Sequence, residues 1–139
     1  MRIDYKNKEM IERKIYVHDS VFMGFNYDYN NQKILLKLTD NYEMKNHEFS
    51  FHNVYFTEIQ SCDSWGKSPH VFELTLLSEN NIIFTKLNER VRSEHYPSSR
   101  LEGLERLVVI EFLLTSGDTL IIACEYIDIL ETPYQENKE

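Results

Sequence analysis

Residues 21–39 read VFMGFNYDYNNQKILLKLT, and this stretch decides the fold. Val21, Met23, Phe25, Tyr27 and Tyr29 share one parity, and Phe22, Gly24, Asn26 and Asp28 share the other. Successive side chains of a strand point to opposite faces, so this alternation predicts a half-buried strand. Asn30-Asn31 then supplies a turn, because Asn accepts the positive φ that tight hairpins require. Ile34, Leu36 and Leu38 alternate with Lys33, Leu35, Lys37 and Thr39 and give the return strand of a hairpin.

The same reading extends along the chain. After a polar connection over 40–46, Phe49 and Phe51 take one parity, and Val54 and Phe56 take the other. Such a switch within one strand marks a bulge or bend. Ser61–Pro69 is a loop by composition. Phe72, Leu74 and Leu76 alternate again, with Glu79-Asn80-Asn81 as a turn into a strand over Ile82–Thr85. Residues 86–95 fit either a continued strand or a short helix, and 95–103 a loop. Two dense apolar runs follow, Leu107–Thr115 and Thr119–Leu130, joined by Ser116-Gly117-Asp118. Val108, Ile110, Phe112 and Leu114 form one face of the first run. Leu120, Ile122, Cys124 and Tyr126 form one face of the second, with Ile121, Ala123 and Ile127 opposite. Apolar residues on both parities predict a central strand pair covered on two sides.

The sum is a mainly β domain of about seven strands with little helix, as an antiparallel sandwich or barrel-like meander. An α+β layout, with one helix packed on the sheet, is the alternative. A chain of 139 residues fits one domain, 1–139, with 1–14 as an irregular or short helical lead-in and 131–139 as an acidic tail. With 42% hydrophobic residues, eight Phe and nine Tyr, it can build a core without disulfides.

The net charge is −8, and Lys and Arg are scattered among acids without a basic cluster. Phosphate binding needs cations that release counterions, so a nucleic-acid partner is not expected. A membrane partner is not expected either: the surface charge is wrong for anionic lipid, and no run nears the ~20 apolar residues that span a bilayer. A basic protein partner suits the charge. The polar N-terminus lacks a signal-peptide pattern, and Cys62 and Cys124 lack metal or redox spacing, which together suggest the cytoplasm.

The chemistry-bearing residues are sparse. His18-Asp19-Ser20 brings three triad types together, but neighbours on an extended chain face apart, so Asp19 and Ser20 are expected to bond to backbone at the entry to the first strand instead. His47 and His52 would face opposite ways on a strand, which leaves no zinc ligand set, and no phosphate loop or dinucleotide fingerprint occurs among four glycines. No cofactor or metal is expected. In Cys62-Asp63-Ser64-Trp65-Gly66 the single Trp stands in a loop, either pinning it to the core or offering a binding anchor. Asp63 would raise rather than lower the pKa of Cys62, against a nucleophilic role. The candidate partner-binding residues are therefore Trp65, Asp63 and the nearby His70.

Val17-His18-Asp19-Ser20 before an alternating strand, and Phe51-His52-Asn53-Val54 leading to Cys62-Asp63-Ser64-Trp65-Gly66, together resemble small uncharacterised bacterial proteins. Some of these resemble immunity proteins, the cytoplasmic inhibitors of polymorphic toxins. The likeness spans roughly the first half of the chain and implies a non-catalytic protein-binding function. A small-molecule pocket lined by aromatic residues, a hydrolase using His18, Asp19 or Cys62, and a purely structural role or a homodimer through exposed strand edges are the competing expectations.

Overall fold

The computed structural model describes residues 1–60, 69–77 and 106–133, together with Thr85 and Glu89. Among these the elements are β1 (Arg2–Asp4), α1 (Met10–Lys14), β2 (Val21–Asp28), β3 (Lys33–Asp40), β4 (Lys45–Gln60), β5 (Val71–Leu76), β6 (Val108–Leu114) and β7 (Thr119–Pro133). The protein is mainly β, and all seven strands join one antiparallel sheet in the order β2-β3-β4-β7-β6-β5. β1 pairs with β7 at Ile3↔Ile127, continuing the edge that β6 occupies lower down. The lead-in is thus a strand and a short helix rather than irregular chain. Thr85, read as the end of a strand, is helical, as is Glu89; the rest of 86–95 lies outside the described residues.

One sheet, not a two-sheet sandwich, encloses the core because it curls until its end strands touch. Val21 of β2 bridges His70 just before β5. The Phe22 N–H donates to the Pro69 carbonyl (2.9 Å), the Val71 N–H to Ser20 (2.8 Å) and the Asp19 N–H to Val71 (2.8 Å). Beyond this corner no further backbone pairing joins β2 to β5 among the described residues. α1 packs beside it, burying Ile11 in the core, while the Glu12 carboxylate accepts the Leu76 N–H (2.8 Å) at the edge of β5.

Apolar side chains from the described strands pack into the interior. Ile34, Leu36 and Leu38 of β3 are fully buried, as are Val108, Ile110 and Phe112 of β6. Phe49 stacks on Phe51 (6.1 Å) and meets Phe112 edge-on (5.6 Å). A smaller cluster of Leu107, Val109, Ile121 and Ala123, with Tyr55, Phe56 and Leu77, lies apart from this core, in keeping with strands covered on both faces.

Bulges explain where simple alternation misleads. A register shift between Phe22 and Gly24 (φ 120°) turns Phe22 and Tyr27 toward the core and leaves Met23 outside. A shift between Val71 and Glu73 likewise buries Val71, packs Leu74 and Leu76 on the core and expels Phe72. In β7 the buried set passes from Leu120, Ile122 and Cys124 to Ile127 and Ile129, so Tyr126 points outward. β4 changes parity at the same level, from Phe51 to Val54, across Asn53 (φ 53°), and a further shift separates Val54 from Phe56. At the first hairpin, positive φ falls on Gln32 rather than on the Asn pair. Asp28 builds that turn instead, accepting the N–H groups of Asn30 (3.1 Å) and Asn31 (3.3 Å).

Asn53 also donates from its side chain to Glu125 (2.9 Å) across the kink. A β-branched residue there meets the left-handed penalty, so Asn53→Val is expected to cost about 1–2 kcal/mol in a urea melt. Asn53→Gly, which keeps the conformation accessible, should cost less.

Candidate binding surfaces

Two concave surfaces are formed by described residues on the outside of the curled sheet. The first is a groove of about 340 Å³ between the chain after α1 and β5, lined by Glu12, Ile15, Tyr16, Val17, His18, Phe72, Glu73 and Leu74. Val17 anchors the segment in the core, and Tyr16 (68% exposed) and Phe72 (53%) stand out beside it. His18 lies between these rings, 6.4 Å from Tyr16 and 5.9 Å from Phe72. Its Nδ1 meets Asp19 Oδ2 at 3.1 Å.

That contact corrects the expectation that His18 and Asp19 face apart. The chain is not extended there: Asp19 is left-handed at φ 66°, which swings its carboxylate onto the ring. Among the described residues, Asp19 and Ser20 make no side-chain hydrogen bond to backbone either. Ser20 Oγ is buried without a hydrogen-bond partner, so it is neither linked to His18 nor open to a substrate. Backbone bonds hold the turn instead, from the Ser20 N–H to Val17 (3.0 Å) and from Asp19 to Val71.

Of the sequence candidates, Trp65 and Asp63 lie outside the described residues, as does Cys62. His70 is half-buried at the closing corner, its N–H donating to Thr115 Oγ1 (3.0 Å) and its carbonyl accepting the Thr115 N–H (2.8 Å). It is a seam residue rather than part of the groove lining. Tyr16 and Phe72 escaped sequence reasoning, since Phe72 reads as inward until the bulge is known.

The second surface covers β1, β7 and β4. Asp128 accepts from Arg2 Nε (2.9 Å) and Nη2 (3.3 Å) and pairs with His52 Nε2 (3.2 Å). The Tyr126 ring stacks on His52 (4.5 Å) and lies under the Arg2 guanidinium (4.4 Å). Beside this cluster is a larger groove of about 790 Å³, lined by Arg2, Asp4, Tyr5, Lys6, Arg106, Glu125 and Tyr126. The hydrogen bond from Arg2 is the chief cause that holds the Asp128 carboxyl below the usual range, with the charges of Arg2 and His52 adding to it. A depressed folded value means the pairing stabilises the fold above the ordinary carboxylate pKa, and that contribution is lost as pH falls through the lowered value. Arg2→Met should raise the Asp128 titration midpoint, read by carboxyl-carbon NMR, and shift the acid loss of stability to higher pH.

His47 and His52 do face opposite ways, as a strand requires. His47 is 5% exposed, its Nε2 meets Glu131 (3.3 Å), and its buried Nδ1 has no partner. Glu131 is itself held below the usual range, mainly by a hydrogen bond from Lys45. Cys124 is fully buried, and burial pushes its thiol far up, out of the range of thiolate chemistry. Among the described residues no group of three or more His, Cys, Asp or Glu side chains is placed to hold a metal ion, and no helix is long and apolar enough to cross a membrane.

Comparison with models of known protein families gives no match, and no curated protein matches significantly.

Proposed function

We propose that this chain is a non-catalytic protein-binding domain that takes a basic partner in the groove between residues 15–18 and β5. The observation that carries this reading is the pair of exposed rings, Tyr16 and Phe72, set among Glu12, Asp19 and Glu73. Large rings held on a rigid strand and an anchored turn give contact area at low entropic cost, and binding hot spots are enriched in such residues. A Lys or Arg side chain reaching the groove meets ring faces and carboxylates together, a cation–π contact reinforced by charge. The net charge of −8 steers the same class of partner.

At finer resolution, the reading is a bacterial cytoplasmic immunity protein that neutralises a toxin. The resemblance around His18 and Asn53 supports it, and the acidic groove suits a toxin with a basic surface. Isothermal titration with an Arg- and Lys-rich peptide tests the partner class. The expected result is saturable binding weakened at least ~10-fold by Tyr16→Ala/Phe72→Ala, the loss of two aromatic anchors. Equal binding of an acidic peptide, or no effect of the double variant, would overturn it. Co-expression with the adjacent gene product tests the toxin reading through rescue of growth.

A further inference from the structure

We propose that the larger groove beside Tyr126 is a separate binding site for a small anion, a phosphate or carboxylate carried on a planar ring. This does not depend on the protein-binding reading, which uses the other surface.

Charge accounting within the groove leads to this assignment. Its carboxylates already have donors: Asp4 Oδ1 accepts the N–H groups of Lys6 (2.9 Å) and Asn7 (3.2 Å). Glu125 accepts the Asn53 side chain (2.9 Å) through one oxygen and the Tyr55 hydroxyl (3.3 Å) through the other. Arg2 is committed to Asp128 and lies against Tyr126. Lys6 and Arg106 remain: both are exposed, both line the groove, and neither makes a side-chain hydrogen bond or ion pair among the described residues. Lys8 adds a third positive charge nearby, its Nζ 4.3 Å from the centre of the Tyr5 ring.

The sequence shows no basic cluster because Lys6 and Arg106 are 100 positions apart; pairing of β1 with β7 helps bring this side of the sheet together. In a chain of net charge −8, two cations without a side-chain partner among the described residues thus share one concavity, where their fields add. An anion suits both: Arg106 offers a planar donor fork and Lys6 a flexible point charge. Tyr5 and Tyr126 line the wall; His52 and Arg2, from the strands on either side of β7, cover the two faces of Tyr126, so it meets a ligand ring by its edge, held in place before any ligand arrives. The volume falls within the ~300–1,000 Å³ of small-molecule sites. Asp4 and Glu125 still repel an anion through their charge, so modest affinity is expected.

The test is an amide NMR titration of the full chain with phenyl phosphate, benzoate, inorganic phosphate and benzylamine. Phenyl phosphate and benzoate should give saturable shifts at residues 4–6, 106 and 125–126, with inorganic phosphate weaker because it lacks the ring. Lys6→Gln/Arg106→Gln, at two exposed positions, should keep the spectrum of the folded chain and weaken phenyl phosphate about tenfold, as loss of two charge-assisted contacts predicts. Stronger binding of inorganic phosphate than of phenyl phosphate would remove the ring from the assignment. Binding of benzylamine as tight as benzoate, shifts scattered away from the groove, unchanged affinity in the double variant, or no saturable shift with any anion would overturn it.

Discussion

Phe49→Ala is expected to lower unfolding stability by about 3–5 kcal/mol, a large share of what a domain of this size possesses. Phe49 is fully buried in the first half of β4, between Leu36 of β3 and Ile129 of β7 in register. Its ring touches Phe51 and meets Phe112 edge-on, so truncation removes apolar contact from three strands and leaves a cavity that a curled sheet cannot easily close. In a urea melt the midpoint should fall with little change in slope. Tyr42→Ala, at a residue 89% exposed, should stay within about 0.5 kcal/mol of the parent. Near-equal effects of the two would contradict the placement of the core.

Ile11→Ala should cost about 2–4 kcal/mol, and its consequences should be local before they are global. A helix of five residues cannot stand alone in water, so α1 depends on what it buries. Ile11 is its fully buried residue, with Met10 and Ile15 packed partly on the same core. When that anchor goes, Glu12 should release the Leu76 N–H, and native-state hydrogen exchange at Leu76 should accelerate more than at Ile110 or Ile122. Tyr16 and His18 follow α1 in the chain, so the groove should loosen with it and partner binding weaken. Uniform acceleration across all strands would show instead that α1 belongs to the global folding unit.

Much of this architecture is legible in the sequence, and the exceptions share a cause. β3 and β6 are regular, so Ile34, Leu36 and Leu38, and Val108, Ile110 and Phe112, are buried as alternation predicts. Gly117, at φ 87°, makes the turn that Ser116-Gly117-Asp118 implies. β2, β5 and β7 contain parity changes, and one extra residue sends every later side chain to the other face. Hence Phe72 and Tyr126, expected inside, are surface residues that shape the two grooves. β1 is three residues long with only Ile3 buried, and its partner lies more than 120 positions away, so no local pattern announces it. The His18–Asp19 contact was hidden by a left-handed residue that composition does not specify.

The sheet's closing corner connects these points to function. Backbone bonds from Asp19, Phe22 and Val71 fix β2 against β5, and this brings a turn carrying His18 over the strand carrying Phe72. The groove exists because the sheet curls and because the bulge at Val71 turns Phe72 out.

The central claim, that this groove is where a partner protein docks, is tested most directly by site-specific photo-cross-linking in the native host. A benzoylphenylalanine placed at Phe72 should yield one discrete adduct whose linked peptide is rich in Lys and Arg, and the same probe at Tyr42 should not. No adduct at Phe72, or the same adduct from both positions, would contradict the account.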